Sequence, residues 1–117
     1  MPHRDDATPV QHMLEAARKA VRFAAGRSRT DLDSDELLAL GLVRLLEIIG
    51  EAATRVGEAT RERTPEIPWA QVIGMRNRLI HGYDVVDLDV LWQTVTEDLP
   101  PLVQELEKVL SAEPNSV

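Results

Sequence analysis

The sequence predicts an all-α protein, an antiparallel bundle of four or five helices joined by short loops. Two observations predict this class: apolar residues recur at helical spacing along every long segment, and no segment has the alternating pattern of a β-strand. Several apolar stripes are wide, so we expect a homodimer with an isologous contact to cover the surplus apolar surface.

The first helix is expected to begin at Thr8 and Pro9, an N-cap followed by a proline at the first helical position. We expect it to end at Gly26, and residues 1–7 to form a disordered lead. Its apolar positions at helical spacing are Val10, Met13, Leu14, Ala17, Val21 and Ala24. The pattern is typical of an amphipathic helix that faces the core.

The longest helix is expected to run from a cap at Asp33 or Ser34 to about Arg61. Its apolar stripe consists of Leu38, Leu42, Leu45, Ile49, Ala53 and Val56. Small residues, including Gly50 and Gly57, lie on or beside this stripe. Because a glycine weakens a helix by roughly 1 kcal/mol relative to alanine, their presence here predicts a close helix crossing.

Four charged residues gather on the other side of the same helix at spacings of three and four: Arg44, Glu47, Glu51 and Arg55. One interpretation is a solvated ladder of salt bridges. The alternative is that Glu51 orients a buried arginine elsewhere in the fold.

The segment RTPEIP breaks the chain, because its prolines exclude a helix between them. A short helix is then expected from about Pro68 to His81, and Asp87 is expected to cap the last helical stretch. That stretch keeps one helical phase across Pro100 and Pro101, which predicts one kinked helix or two abutting helices.

Length and composition limit the class of protein. The 117 residues fit one domain, with an ordered core expected at about residues 9–111. The absence of cysteine excludes disulfides and thiolate metal sites, and no run of apolar residues could span a bilayer or act as a signal peptide, so a cytoplasmic protein is expected. The net charge of −7 argues against a broad nucleic-acid-binding face and suits a basic protein partner.

The stretch RNRLIHGY, residues 76–83, concentrates the chemistry of the chain. Helical periodicity places Arg76 inside the apolar arc of the short helix, where a buried guanidinium would need a partner. His81 follows at the expected helix end, before Gly82 as a stop signal and Tyr83 as the single tyrosine. An arginine can hold a phosphate, and an imidazole can transfer protons near neutral pH. Because RNA carries its own 2′-hydroxyl nucleophile, this pair could cleave RNA without a metal ion.

One geometric objection arises, because residues five apart on an ideal helix point about 140° apart. Two arrangements remove it: the helix unwinds near Gly82, or two short helices pair across a dimer axis and share one cleft. Structural interpretations of the same residues also stay open. His81 could satisfy the last helix carbonyls, Tyr83 could pack with its hydroxyl hydrogen-bonded, and Asn77 could be an ordinary polar helix residue.

Arg76, His81 and Tyr83 form the pattern Arg-x4-His-x-Tyr, with Asn77 directly after the arginine. This pattern resembles the HEPN superfamily and, more narrowly, the HepT-type toxins. The likeness continues, in the same order, through LLEIIGEAA (45–53), PW (68–69), MRNRLIHGYDVVD (75–87) and LWQTVTEDLP (91–100), and it covers residues 9–110 approximately.

The resemblance implies an all-α homodimer whose cleft lies at the dimer interface. It implies a metal-independent RNase toxin without a cofactor, in which Arg76 and His81 are the catalytic pair. It further implies an MntA-type minimal nucleotidyltransferase as antitoxin, which silences the nuclease by transferring AMP to Tyr83. Asn77 and Glu51 are expected as supporting residues, and Glu51 matches a family position without a defined role.

Two other functions stay open at this point. The same helices could form a non-catalytic binding module that docks a nucleotidyltransferase. A structural dimeric bundle is also possible, in which Arg76 merely pairs with a glutamate. Growth on expression separates them, because a toxin should arrest cells and His81→Ala should relieve the arrest.

Overall fold

The computed structural model describes residues 2–81 and 85–112, with side chains described for residues 6–80 and 85–112. The elements in chain order are α1 (Pro2–Ala24), α2 (Asp31–Ser34), α3 (Glu36–Ala53), α4 (Glu58–Arg63), α5 (Trp69–Ile73), α6 (Met75–Leu79), β1 (Ile80–His81), β2 (Val85–Val86), α7 (Leu88–Gln93), a π-helical turn (Thr94–Asp98) and α8 (Leu99–Ser111). The all-α class is confirmed. In the described ranges, no helix is both long enough and apolar enough to span a membrane.

The core is formed where α1 packs against α3 and α8. Its largest fully buried side chains come from α1, α3, α6, α7 and α8: Met13, Leu42, Leu46, Ile49, Leu79, Leu91, Leu99 and Leu106. The core is almost wholly aliphatic, which follows from the aromatic content of 3%. Burial of these apolar faces is the main stabilising contribution, because propensity alone leaves short helices marginal in water.

The first helix begins at Pro2, well before the expected start at Pro9, so the prediction of a disordered lead is wrong. Asp6 supplies the physical reason. Its carboxylate is buried and accepts a 2.6 Å hydrogen bond from the Thr60 hydroxyl and a 3.0 Å bond from the Gly57 N–H. These bonds connect the first turns of α1 to the start of α4, a tertiary contact that sequence periodicity does not reveal.

The predicted long helix is also corrected, since α3 ends at Ala53 and is capped by Asp35, not by Asp33 or Ser34. Asp35 accepts a hydrogen bond from the Leu38 N–H, 3.0 Å away. At the other end, the Arg61 guanidinium turns back and donates to carbonyl groups of Ala53 and Val56. This side chain satisfies carbonyls at the end of α3 and so stabilises the break between α3 and α4.

The crossing predicted at Gly50 is confirmed. A Cβ atom at Gly50 would lie 3.2 Å from the Val72 carbonyl oxygen of α5, so a larger residue would fit only if the backbone of α5 moved by a few tenths of an ångström. Gly57 is also tightly enclosed, because a Cβ there would lie 3.3 Å from the Asp6 carboxylate. The small residues therefore allow two close contacts, one of them holding α5 against α3.

The short helix predicted from Pro68 to His81 is two helices, α5 and α6, separated at Gly74, and the second ends at Leu79. Beyond it the chain becomes extended. Ile80 pairs with Val86 and His81 with Val85 in a two-residue antiparallel ladder, which the sequence pattern did not predict. The strands are too short to show the alternation that identifies a strand in a sequence.

The last helical stretch follows the prediction more closely. Asp87 caps α7, accepting a hydrogen bond from the Val90 N–H at 3.1 Å. The chain then passes through a π-helical turn into α8, whose first turn contains Pro100 and Pro101. Prolines are tolerated there because the first N–H groups of a helix need no intrahelical partner.

Candidate functional site

Arg76 lies on the surface of α6, with 61% of its side chain exposed. The expectation that it lies within a buried apolar arc is therefore wrong. The break at Gly74 gives the reason, because it separates the helical phase of α6 from that of α5. Met75 and Leu79, four residues apart, become the buried residues of α6, and the three residues between them remain exposed.

Glu47 of α3 holds Arg76 in place. One Glu47 carboxylate oxygen accepts a hydrogen bond from the Arg76 Nε, 3.2 Å away, and the other lies 3.6 Å from Arg44 Nη1. Glu47 is partly enclosed, with 27% of its side chain exposed. The contact engages Nε of Arg76, so the two Nη nitrogens take no part in it. A guanidinium tethered in this way keeps donors for a phosphate.

Of the two interpretations of the charged residues on α3, the one in which Glu51 orients a buried arginine is wrong in both parts. Glu51 is exposed on α3, and the carboxylate that contacts Arg76 belongs to Glu47, one turn earlier on the same face. The sequence contains the relevant signal, since both glutamates belong to the same charged stripe. Periodicity cannot say which turn of α3 lies opposite α6, because that depends on where the two helices cross.

The exposed face of α3 continues from this charged cluster to apolar residues. Leu37 and Leu40 are 83% and 58% exposed. Together with Arg44, Glu47 and Glu51 they fall within an arc of roughly 80° at 100° per residue. The tethered Arg76 therefore belongs to a surface that carries both uncovered leucines and charged groups.

The two neighbours of Arg76 on α6 have separate positions. Asn77 is exposed, and its backbone N–H donates to the Gly74 carbonyl at 3.1 Å, which closes the first turn of α6. Arg78 is exposed as well but points about 200° away from Arg76 around the helix. It lines a groove on the other side of α6, so the two arginines do not form one basic pocket.

His81 lies in β1, two residues beyond the end of α6. Its side chain is not among the described residues, and neither are Gly82 and Tyr83. The expected convergence of Arg76 and His81 and the expected helix stop at Gly82 therefore lie outside the described residues. The backbone nevertheless removes the geometric objection. The 140° separation applies to a continuous helix, and the chain leaves the helix at Ile80, which has extended φ and ψ of −106° and 124°.

In the described ranges, no group of three or more histidine, cysteine, aspartate or glutamate side chains could hold a metal ion. The described part of this surface presents the exposed guanidinium of Arg76, and the backbone of His81 follows five residues later in β1. By their chemistry, an arginine can neutralise a phosphate and a histidine can transfer protons.

Comparisons with known proteins identify the family of the chain. The family model described as ribonuclease HepT-like matches residues 13–109. A protein of Methanocaldococcus jannaschii named as a candidate RNase is 34% identical over 109 residues, which cover 93% of this chain and 100% of the relative. A protein of Thermococcus cleftensis named as a probable ribonuclease HepT is 43% identical over 100 residues, covering 86% of this chain and 91% of the relative.

No solved structure gives a significant match to the chain. The family assignment therefore depends on the family model, which covers most of the chain, and on relatives aligned over nearly their full length. The chain belongs to the family of HepT-like ribonucleases.

Proposed function

We propose that this protein is a metal-independent ribonuclease toxin of a HepT/MntA-type toxin–antitoxin system, and that it cuts RNA in a cleft between two copies of the chain. The observation that carries the proposal is the tethered and exposed guanidinium of Arg76, 3.2 Å from Glu47, on the helix that leads directly into His81. Membership of the HepT-like ribonuclease family supports it.

Each proposed role follows from side-chain chemistry. Arg76 holds the scissile phosphate and stabilises the negative charge that develops on phosphorus during attack by the 2′-hydroxyl. His81 assists proton transfer, since an imidazole with a pKa of about 6.5 can accept and donate protons near neutrality. Asn77 and Glu51 act in support from the same surface. No step requires a metal ion or a cofactor, because the nucleophile is part of the RNA.

The dimer is proposed from the exposed face of α3. Leu37 and Leu40 are uncovered in one chain and lie on the same face as the Arg76–Glu47 pair. An isologous contact over this face would bury the leucines and bring two copies of Arg76 and His81 to one cleft. Leu40→Glu would place a charge in that contact, so we expect the variant to sediment as a monomer and to lose RNA cleavage together with dimerisation.

The main experiment measures cleavage of RNA by the purified protein in excess EDTA. We expect cleavage to persist, and Arg76→Ala and His81→Ala each to reduce it by at least about a hundredfold. Arg22→Ala is the matched control, because it removes an exposed arginine of α1 outside this surface and should leave cleavage intact. Loss of wild-type activity in EDTA, restored by Mg²⁺ or Mn²⁺, would contradict the metal-free mechanism.

Regulation is proposed to act through Tyr83, two residues after His81 in the sequence. An MntA-type nucleotidyltransferase antitoxin in the cytoplasm transfers AMP from ATP to the tyrosine hydroxyl and releases pyrophosphate. The anionic nucleotide offsets the charge of Arg76 and fills the cleft. We expect co-expression with an MntA-type nucleotidyltransferase to increase the mass of the protein by one or more AMP units. A Tyr83→Phe variant that still gained this mass would show that the acceptor is a different residue.

The second candidate is a binding module that docks a nucleotidyltransferase without cutting RNA. The pairing of Arg76 with Glu47 is compatible with this module and with the structural dimeric bundle, because an ion pair can serve structure alone. Growth separates the two functions. Arrest by the wild type and normal growth with His81→Ala would support the toxin, whereas equal growth of both strains without the partner would support the binding module.

A further inference from the structure

A groove with a volume of about 380 Å³ opens on the side of α6 that carries Arg78, between the α5–α6 segment and the start of α8. Its floor is apolar and consists of side chains that are at least 95% buried: Ile67, Val72, Met75, Leu99 and Leu102. The floor is part of the core, so the groove is a preformed depression. Because Arg76 points to the other side of α6, the groove is separate from the proposed RNase surface.

The rim of the groove is strongly acidic. Four carboxylates line it, those of Glu66, Glu97, Asp98 and Glu105, and Arg78 is the cation among the described lining residues. Glu66, Glu97 and Asp98 are exposed. Glu97 and Asp98 belong to the π-helical turn, which ends at the prolines of α8 and presents both carboxylates at the groove.

We propose that this groove docks a basic peptide segment of a partner protein, in which apolar side chains alternate with lysine or arginine. The apolar floor accepts the apolar side chains, and the rim accepts the cations. RNA is disfavoured, because its phosphates would meet four carboxylates against one guanidinium. The inference does not depend on the proposed RNase activity, since the two surfaces lie on different sides of α6.

The ion pairs near the rim leave most of its charge available. Glu105 is partly engaged, because its carboxylate lies 3.2 Å from Lys108 Nζ. Glu97 accepts a long 3.5 Å hydrogen bond from the neutral amide of Gln93, which leaves its charge unbalanced. A cationic ligand would therefore meet negative potential at the groove, and its binding should weaken as salt screens the interaction.

The test uses the full chain and two dye-labelled hexapeptides, one of alternating leucine and lysine and one of alternating leucine and glutamate. We expect the lysine peptide to bind in fluorescence anisotropy, with binding that weakens as salt rises, and the glutamate peptide not to bind. Methyl resonances of Met75, Leu99 and Leu102 should shift during titration of the wild type. Because the methyl resonances are measured on the wild type, this part of the test does not depend on whether a variant folds.

A double variant then tests the rim directly. Glu97→Lys with Asp98→Lys should weaken binding of the lysine peptide by at least about tenfold, because it reverses two charges that face the ligand. Glu15→Lys with Glu62→Lys is the matched control, since it makes the same change of net charge at exposed positions outside the groove and should bind within about twofold of wild type. Both double variants should retain wild-type RNA cleavage.

Four results would overturn the proposal: equal weakening by the two double variants, equal binding of both peptides, peptide-induced shifts that bypass the groove methyls, or shifts of the groove methyls when a short RNA is added without peptide. A change of sedimenting mass in the Glu97→Lys and Asp98→Lys protein would also overturn it, because the groove would then be a contact between copies of this chain. Failure of RNA cleavage in all proteins, with peptide binding intact, would count against the proposed function alone.

Discussion

The long helices and the short segment from Trp69 to Val86 differ in how much of their surface is buried. In α1, α3 and α8, apolar residues recur along the whole length and meet in one core, where Met13, Leu46 and Leu106 have no exposed surface. The short segment consists of two five-residue helices and a pair of two-residue strands, and most of its α6 surface is exposed. It is held against the core by the buried side chains of Trp69, Val72, Met75 and Leu79 and by the close approach of α5 to Gly50.

The difference separates the buried residues that stabilise the fold from the exposed charges of α6 at the proposed site. The long helices bury enough surface to fold, whereas helices of five residues are unstable on their own and depend on the surface that they pack against. The segment can therefore present charged groups without weakening the core. Changes at buried residues of the long helices should remove both fold and activity, and changes at the exposed charges of the proposed site should remove activity alone.

The largest effect is expected for Leu46→Ala in α3. Leu46 is fully buried, so the truncation leaves a cavity and should lower the free energy of unfolding by about 2–5 kcal/mol. The comparison variant is Val85→Ala in the short segment, where the side chain is 60% exposed and the expected loss is below about 1 kcal/mol. Urea unfolding measures both. Equal losses would show that the segment contributes to stability as much as the core.

The next effect concerns the contact between the two regions. Gly50→Val would place a branched side chain against the Val72 carbonyl, 3.2 Å from the Cβ position, and should cost about 1–3 kcal/mol and displace α5 and α6. Gly41→Val is the matched control in the same helix, because nothing lies within 4 Å of its Cβ position. We expect the control to change the free energy of unfolding by less than about 0.5 kcal/mol. Similar unfolding midpoints for both variants would refute the close crossing.

A smaller effect is expected at the tether of Arg76. Glu47→Gln keeps the shape of the side chain and removes its charge, so Arg76 should be held less firmly and RNA cleavage should fall by about tenfold. Glu51→Gln should have a smaller effect, because its carboxylate does not make the contact. Cleavage rates and urea unfolding are measured together. A larger loss of RNA cleavage for Glu51→Gln than for Glu47→Gln, with both proteins stable, would support the interpretation in which Glu51 orients the arginine.

The smallest effect is a pH dependence at the start of α3. The hydrogen bond from the Leu38 N–H, and next the Arg27 side chain, lower the pKa of Asp35 below its ordinary value. Asp35 therefore adds stability above its unfolded pKa of about 3.9, and this contribution is lost as the pH falls through the lower folded pKa. Asp35→Asn keeps a good N-cap without the titration. Urea midpoints below about pH 4 should depend less steeply on pH in the variant, and an unchanged slope would contradict this role.

Much of the fold follows from local patterns. Apolar spacing predicts the helical class, the polar cap at Asp87 predicts the start of α7, and a glycine on the apolar stripe predicts the crossing at Gly50. The motif around Arg76 identifies the family before any contact is known. These features depend on residues within a few turns of one another, which is the range over which a sequence pattern carries structural information.

Other features depend on residues that are distant in sequence. The first turns of α1 are helical because Asp6 meets Gly57 and Thr60, and α3 ends where Arg61 can reach its carbonyls. The sequence pattern alone predicts that α3 runs to about Arg61 and that residues 1–7 form a disordered lead. In each case a single hydrogen-bonding side chain decided the outcome, and its partner could not be identified from spacing.

By itself, the sequence determined that this protein is helical, where most helices lie, and to which family its motif belongs. The tertiary structure alone decided that Arg76 is exposed, that Glu47 and not Glu51 contacts it, and that Arg78 faces an acidic groove. The physical reason is that periodicity defines the faces of a single helix. Which faces meet, and at which turn, depends on the packing of the whole chain.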